Sequence, residues 1–170
     1  LRFNDFHFIL SGEISLIYSQ DGKVRKVHLV LLAPSFEIVD QINELLSKKG
    51  KLESDGRPIL GSYPCYELVE DLKKFSDEIE IIPAHAWTPW FSVFGSMSGF
   101  DTLEECFGNY AKHIFAIETG LSSDPAMNWR LSKLDTIAFI SNSDSHSLER
   151  IGREANMFDG ELSYGGIMDG

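Results

Sequence analysis

Apolar runs that stop at a residue able to bind a metal or move a proton recur along the chain. The three runs are residues 79–84 before His85, residues 114–117 before Glu118, and residues 137–140, which a short polar stretch joins to Asp144 and His146. Short apolar runs with polar ends are typical of strands buried in a parallel sheet, and barrels built from such strands place their chemistry at the carboxyl ends. The pattern therefore predicts a buried strand at residues 137–140 and site residues that follow strands.

The first third of the chain predicts a β-hairpin. Apolar residues at 14–18 and 24–32 flank Asp21-Gly22, a pair that favours a tight turn between antiparallel strands. Further on, residues 86–100 predict a loop that is longer than most connections between a strand and its helix. Loops of this length tend to carry function.

Helices are predicted by apolar residues at helical spacing and by capping residues. Their expected starts are after Ser35, at Pro64, after Asp101, after Asp124 and near Ser147. Asp101 is the expected N-cap of the third helix, because Glu104 follows it at capping-box spacing. Strands and helices alternate, which predicts an α/β fold with parallel strands.

Composition narrows the class of protein. The 170 residues suffice for one domain, and no apolar run is long enough to cross a membrane. Cys65 and Cys106 lie far apart in sequence, which indicates reduced, core-packed thiols and a cytoplasmic location. The net charge of -11 opposes general nucleic-acid binding unless bound cations reverse the local field.

Two further candidate ligands lie in the first third. Glu13 sits at a break between apolar runs, and His28 lies within an apolar strand. Taken alone, Glu13 is equally explained as a solvated acid and His28 as a hydrogen-bonded core residue, while an Asp-x-His pair such as Asp144 and His146 is also common in turns. Together, imidazole and carboxylate groups suit zinc, manganese or iron.

Aromatic residues are concentrated in the long loop, at Trp87, Trp90, Phe91 and Phe94. Aromatic side chains can form the walls of a binding pocket, so these four are candidates for contact with a substrate. Packing in the core is the alternative.

Several motifs resemble the later motifs of the PHP superfamily, the polymerase and histidinol phosphatase metallohydrolases. They are Gly12-Glu13-Ile14, His28 in its apolar strand, Pro83-Ala84-His85-Ala86 and Ser143-Asp144-Ser145-His146. Longer blocks resemble the endonuclease Q group of that superfamily, and they lie at residues 82–91, 94–96, 99–101, 118–125, 128–130 and 151–155. The resemblance extends over nearly the whole chain.

The resemblance implies a distorted (β/α)7-type barrel, incomplete here, with metal ligands at the carboxyl ends of its strands. It assigns Glu13 as a bridging carboxylate, His28 and His85 as imidazole ligands, and Asp144 and His146 as the closing pair, with Asp144 also near the attacking water. It implies divalent metal ions, zinc, manganese or magnesium, two or three of them in the complete domain. Glu118 is a catalytic candidate, with a supporting or substrate-contacting role as the alternative.

The chain departs from the superfamily at its amino end. The superfamily begins with a His-x-His strand, and no two of the five histidines here have that spacing. His7 and His113 are read as structural residues. Residues 1–170 are therefore expected to be the central and carboxyl-terminal part of a single PHP-like domain that is inactive by itself.

The function implied by the resemblance is a DNA repair endonuclease that cuts on the 5′ side of deaminated bases (uracil, hypoxanthine, xanthine) or abasic sites. DNA with such bases is the expected partner, with no membrane involved and the oligomeric state left open. One alternative is a small-molecule phosphoesterase of the histidinol phosphatase type, which suits the acidic charge. Another is a metal-free binding domain, which suits the missing amino-terminal ligands.

Overall fold

The computed structural model describes residues 2–3, 6–54 and 59–169. Within them, the strands are β1 (Arg2–Phe3), β2 (Phe6–His7), β3 (Leu10–Gln20), β4 (Lys23–Ala33), β5 (Ile59–Gly61), β6 (Glu80–Pro83), β7 (Ala116–Glu118) and β8 (Ala138–Ile140). The α-helices are α1 (Phe36–Ser47), α2 (Cys65–Lys73), α3 (Leu103–Phe107), α4 (Pro125–Asn128) and α5 (Tyr164–Asp169). Short 3₁₀ helices span Gly108–His113, Gly120–Ser122, Ser132–Leu134 and Leu148–Arg150.

The hairpin predicted at Asp21-Gly22 is confirmed. β3 and β4 pair antiparallel along their whole length, from Leu10 with Ala33 to Gln20 with Lys23. The two turn residues have φ angles of 53° and 74°, the left-handed values that a two-residue turn between twisted strands requires. This ribbon is the centre of the fold.

The central sheet is mixed rather than parallel. Its strand order is β5-β3-β4-β6, in which β5 runs parallel to β3 and β4 runs antiparallel to both β3 and β6. Within this sheet the expected parallel pairing is found only between β3 and β5, because β3 and β4 are joined by the predicted two-residue turn and must be antiparallel. β7 and β8 form a separate parallel pair. The mixed α/β class is confirmed, while closure into an incomplete barrel stays a prediction.

The two faces of the hairpin differ in chemistry. On one face, Leu16, Val27 and Leu29 are fully buried in a core that also takes Ile42 of α1 and Leu68 of α2. Cys65 and Cys106 are free thiols in this same core, as predicted.

The opposite face carries the polar residues. Side chains alternate across a strand, so Glu13 and Ser15 of β3 share this face with Lys26 and His28 of β4, and Ser15 pairs directly with His28. Because the hydrophobic pattern fixes which residues enter the core, it also fixes this second face as the one that presents His28.

The capping residues start the helices close to the predicted positions. Ser35 Oγ accepts a hydrogen bond from the Ile38 amide at 3.4 Å, and Asp124 Oδ1 accepts one from the Met127 amide at 2.7 Å. In α3 the N-cap is Thr102 rather than Asp101, because Thr102 Oγ1 accepts from the Glu105 amide. The N-cap of α3 therefore lies one residue later than the sequence predicted.

Two predictions for the last third are wrong. Residues 147–154 form only one 3₁₀ turn at Leu148–Arg150, since Leu148 and Ile151 are exposed and provide no apolar face to hold a longer helix. β8 is only half-buried rather than buried, because among the described residues it pairs with β7 alone. No helix of the described residues is both long and apolar enough to cross a bilayer.

Candidate metal centre

Three predicted ligands converge on the polar face of the central sheet. Glu13 comes from β3, His28 from β4, and His85 from the residues just after β6. β6 pairs with β4 so that Pro83 lies opposite Leu29, and the Ala84 amide donates to the His28 carbonyl at 3.1 Å. This pairing carries His85 to the side of His28. Only His85 follows a strand end, whereas Glu13 and His28 lie within their strands.

The donor atoms of the triad, as we call Glu13, His28 and His85, form a compact triangle. His28 Nδ1 lies 3.1 Å from His85 Nε2 and 3.1 Å from Glu13 Oε1, and His85 Nε2 lies 3.8 Å from Glu13 Oε1. His28 is buried, His85 is mostly buried, and the Glu13 side chain is 26% exposed. The triangle is therefore largely shielded from water but open on one side.

The geometry of the triangle fits a divalent cation. A triangle with these three sides has a circumradius of about 2.0 Å, which matches metal distances of about 2.0 to 2.2 Å to histidine nitrogen and carboxylate oxygen. Two imidazoles and one carboxylate are donors that zinc, manganese and iron accept. The triad is also a group of metal-ligating residues by proximity alone, with all three donor atoms within 4.8 Å of one another.

The charges within the triad favour a cation between its members. Burial by itself would raise the pKa of Glu13, but hydrogen bonds from His28 and His85 outweigh it and lower that pKa to about 2. Burial lowers the pKa of His85, yet the carboxylates of Glu13, Glu118 and Asp144 raise it above the usual value. The site thus concentrates negative charge around two imidazoles, which stabilises positive charge there.

Thr88 fixes the tautomer of the neutral His85 ring. Thr88 Oγ1 lies 3.2 Å from the His85 carbonyl and 2.9 Å from the Trp90 carbonyl, and carbonyls only accept, so the hydroxyl hydrogen is used there. Oγ1 then accepts from His85 Nδ1–H at 3.0 Å. In the neutral ring the proton therefore lies on Nδ1, and Nε2, which faces His28 and Glu13, is the nitrogen that could bind a metal. Such partners of a ligand's second nitrogen orient the ring for a metal.

Glu118 holds the backbone of His85 and Ala86 by hydrogen bonds. Its Oε2 accepts a hydrogen bond from the His85 amide at 2.7 Å, and its own carbonyl accepts from the Ala86 amide at 2.8 Å. Glu118 is buried, which raises the pKa of its carboxyl group. These contacts match the supporting alternative for Glu118, and its catalytic assignment stays a prediction.

Gly120 is the second residue that holds His85 in place. It has a φ of +59°, and a Cβ added to it would lie 2.9 Å from His85 Cβ and 3.1 Å from His85 Cα. His85 itself has a positive φ of 31°. The turn after β7 therefore closes against the turn after β6, and only a residue without a side chain fits between them.

Asp144 and His146 are close to each other but do not join the triad. His146 Nε2 lies 3.2 Å from Asp144 Oδ1, and their side chains are 62% and 34% exposed. They lie in the segment after β8, where Arg153 Nε donates to the Ser143 carbonyl and Arg153 Nη2 to the Asp144 carbonyl. Asp144 is near enough for its charge to act on the pKa of His85. Their role as closing ligands stays a prediction.

The four aromatic candidates of the loop divide into two kinds. Trp87 and Phe94 pack on the core with ring centroids 4.8 Å apart, and Trp87 Nε1 donates to Asn128 Oδ1 at 2.7 Å. Phe91 lies against the His28 ring at 4.7 Å, and Trp90 is 48% exposed. Trp90 is thus the most exposed ring of the four.

Thr88, Gly120 and Lys26 were not singled out from the sequence. Thr88 follows His85 by three residues in a tight turn, which is a local signal that could have found it. Lys26 precedes His28 by two residues on a strand and so shares its face. Gly120 is 35 residues from His85, and no local pattern links them.

Comparisons with known proteins agree with this architecture. The structure is similar to that of the lesion-specific endonuclease PfuEndoQ from Pyrococcus furiosus, with a TM-score of 0.75 and 31% identity over 91% of this chain and 36% of that one. It is also similar to Endonuclease Q in complex with a 27-mer duplex substrate with an abasic lesion at the active site, with a TM-score of 0.76 and 31% identity over 91% of this chain and 37% of that one.

Among curated proteins, YqxK of Bacillus subtilis strain 168 is 30% identical over 158 residues, which are 92% of this chain and 38% of that protein. No family model matches the chain. The chain thus spans well under half the length of these relatives. The predicted resemblance to endonuclease Q is confirmed.

Proposed function

We propose that this endonuclease Q-like chain is the metal-binding part of a DNA repair endonuclease. The observation that carries the proposal is the triad, whose three donor atoms have the spacing of ligands around one divalent cation. It coincides with likeness to two structures of endonuclease Q, one of them described with an abasic duplex substrate.

The residues of the triad have distinct tasks in this proposal. Glu13 and the two imidazoles would bind zinc, manganese or magnesium, and Thr88, Glu118 and Gly120 hold His85 in the required orientation. A divalent cation held there supplies positive charge that acidifies a water and stabilises the charge developing on phosphate oxygens.

Asp144 and His146 complete the site in this proposal. The pair joins a carboxylate and an imidazole through one 3.2 Å contact, an arrangement that can accept a proton from a water and pass it to solvent. Their exposure leaves them accessible to a phosphodiester, while the charge of Asp144 reaches His85. In the complete domain we expect them to close a centre of two or three ions.

The proposed substrate is a DNA strand with a deaminated base (uracil, hypoxanthine or xanthine) or an abasic site, cut on the 5′ side of the lesion. Exposed Trp90, beside Phe91 and the triad, is the residue proposed to meet the unstacked nucleotide. Lesions lower the cost of taking a nucleotide out of the duplex, which gives such an enzyme part of its selectivity.

The test uses the complete protein and end-labelled duplexes that differ only at one abasic or deaminated position. With manganese, magnesium or zinc we expect one cut on the 5′ side of the lesion, no cut in the undamaged duplex, and none in EDTA. Intact lesion strands together with phosphate release from a small monoester would replace the nuclease by the phosphatase alternative. Absence of bound metal in the purified wild type would instead favour a metal-free binding domain.

A further inference from the structure

An ammonium group lies over two aromatic rings beside the triad. Lys26 Nζ is 5.0 Å from the centroid of the Trp90 ring and 5.2 Å from that of Phe91. The Phe91 ring in turn lies 4.7 Å from the His28 ring. A continuous row of cation and rings therefore leads from exposed Trp90 to the buried end of the triad.

The Lys26 ammonium group has no ion pair with the described residues. In the described parts of the chain, no carboxylate lies within ion-pair distance of its ammonium group and no protein oxygen accepts a hydrogen bond from it. Two rings attract the ammonium electrostatically but leave its three N–H donors free. In a chain of net charge -11, this ammonium group places positive charge beside the triad, where it suits an anionic ligand.

Lys26 is a close neighbour of the triad on the polar face of the sheet. Lys26 and His28 are two residues apart on β4 and share a face, so their Cα atoms are about 6.6 Å apart. An anion bound by Lys26 would therefore lie beside the triad, where one short segment of a nucleic acid strand could contact both.

The row is held rigidly before any ligand arrives. Ser98 Oγ donates to the Lys26 carbonyl at 3.2 Å and accepts from the Phe91 amide at 3.1 Å, and the Lys26 amide donates to the Ser98 carbonyl at 3.2 Å. The His28 amide donates to the Phe91 carbonyl at 3.0 Å. Because these bonds fix the loop to β4, binding would order little more than the tips of Lys26 and Trp90.

We propose that Lys26 and Trp90 form a nucleotide subsite next to the metal centre. The Lys26 ammonium binds a backbone phosphate, and the exposed Trp90 ring stacks on the base of an unpaired nucleotide. This proposal rests on the proposed function, since it assigns the nucleic acid segment that the metal centre would cut. It also provides a local source of DNA affinity in an acidic chain.

The test measures binding of a fluorescently labelled oligothymidylate by anisotropy, in EDTA and over a range of salt concentrations. Lys26→Met keeps the aliphatic stem and removes the charge, Lys26→Arg keeps the charge, and Trp90→Phe keeps a smaller ring. Lys23→Met is the matched control, because Lys23 is exposed on the same strand but its side chain points to the opposite face.

We expect Lys26→Met to weaken binding and to reduce the slope of log K against log salt by about 0.7, the value for one phosphate contact on a single strand. Trp90→Ala should weaken binding by about 5- to 150-fold, with Trp90→Phe in between. Lys26→Arg and Lys23→Met should bind as wild type does.

Absence of oligothymidylate binding by the wild type would overturn the subsite. So would an unchanged salt slope in Lys26→Met with a lowered Tm, which would assign Lys26 to packing on the rings. These outcomes are separable from failure of the proposed function, because EDTA removes the metal and cleavage is not measured.

Discussion

The triad and the Asp144–His146 pair were both predicted as metal ligands, and they lie in very different surroundings. The triad is carried by a four-stranded sheet, its histidines are largely buried, and Thr88, Glu118 and Gly120 hold His85. Asp144 and His146 follow β8, which is half-buried and pairs only with β7 in the described residues. The contrast indicates that the triad is preorganised, whereas the pair depends on interactions beyond its own segment.

The affinity of the triad for a divalent ion provides a common scale for testing this contrast. The largest effect is expected for His85→Ala, which removes one of three ligands and leaves the Glu13 carboxylate with one imidazole. Calorimetric titration with zinc should show affinity lowered by more than about 100-fold, because even residues outside the ligand set typically cost 10- to 100-fold. His113→Ala, which changes a histidine outside the triad, is the control. Unchanged zinc affinity in His85→Ala would mean that the triad does not bind the metal.

The next effect in size is expected for Thr88→Ala, which leaves every ligand in place. Without the acceptor at 3.0 Å, His85 Nδ1–H loses its partner and the ring is free to rotate or to change tautomer. Zinc affinity should fall by about 10- to 100-fold, as for other residues that orient a ligand. Thr88→Ser restores the hydroxyl and should restore the affinity. Failure of serine to do so would assign Thr88 to packing rather than to His85.

Gly120→Ala should have a smaller effect on zinc affinity. It also separates the positioning of His85 from the stability of the fold. The added Cβ would lie 2.9 Å from His85 Cβ and would displace the His85 imidazole from its position in the triad. Zinc affinity should fall by about tenfold, or about 1.4 kcal/mol. Gly108→Ala is a matched control, because Gly108 has a similar φ of +55° and open space around its position. Thermal denaturation should show a loss of stability in both, larger in Gly120→Ala because of the close contact with His85, with zinc affinity reduced only in Gly120→Ala. Equal zinc affinities would contradict the proposed role of Gly120.

Local chemistry explains which of these features could be predicted from the sequence. The turn at Asp21-Gly22 and the cap at Ser35 depend on neighbouring residues, and both predictions are confirmed. The resemblance named Glu13, His28 and His85 as ligands, and the structure brings them together.

The remaining features depend on contacts between distant segments. The support that Glu118 and Gly120 give to His85 joins residues more than 30 positions apart, so no local pattern encodes it. The apolar character of residues 137–140 predicted a strand but could not predict its burial, because burial depends on what packs against it. The same limit applies to Leu148 and Ile151, which are apolar and exposed.

Asp144→Asn should have the smallest effect on zinc affinity, although it should abolish DNA cleavage. The Asp144 side chain is 34% exposed and does not belong to the triad. Its charge raises the pKa of His85, but solvent water weakens this interaction. We expect zinc affinity to fall by less than about fivefold, the range of an exposed ion pair.

In the complete protein the same substitution should abolish cleavage of lesion DNA while DNA binding persists, because it keeps the shape of the side chain and removes its charge. His146→Ala should behave in the same way. Wild-type cleavage by either variant would show that the segment after β8 is only a turn, and a loss of zinc affinity as large as that of His85→Ala would place Asp144 among the ligands of the preorganised site.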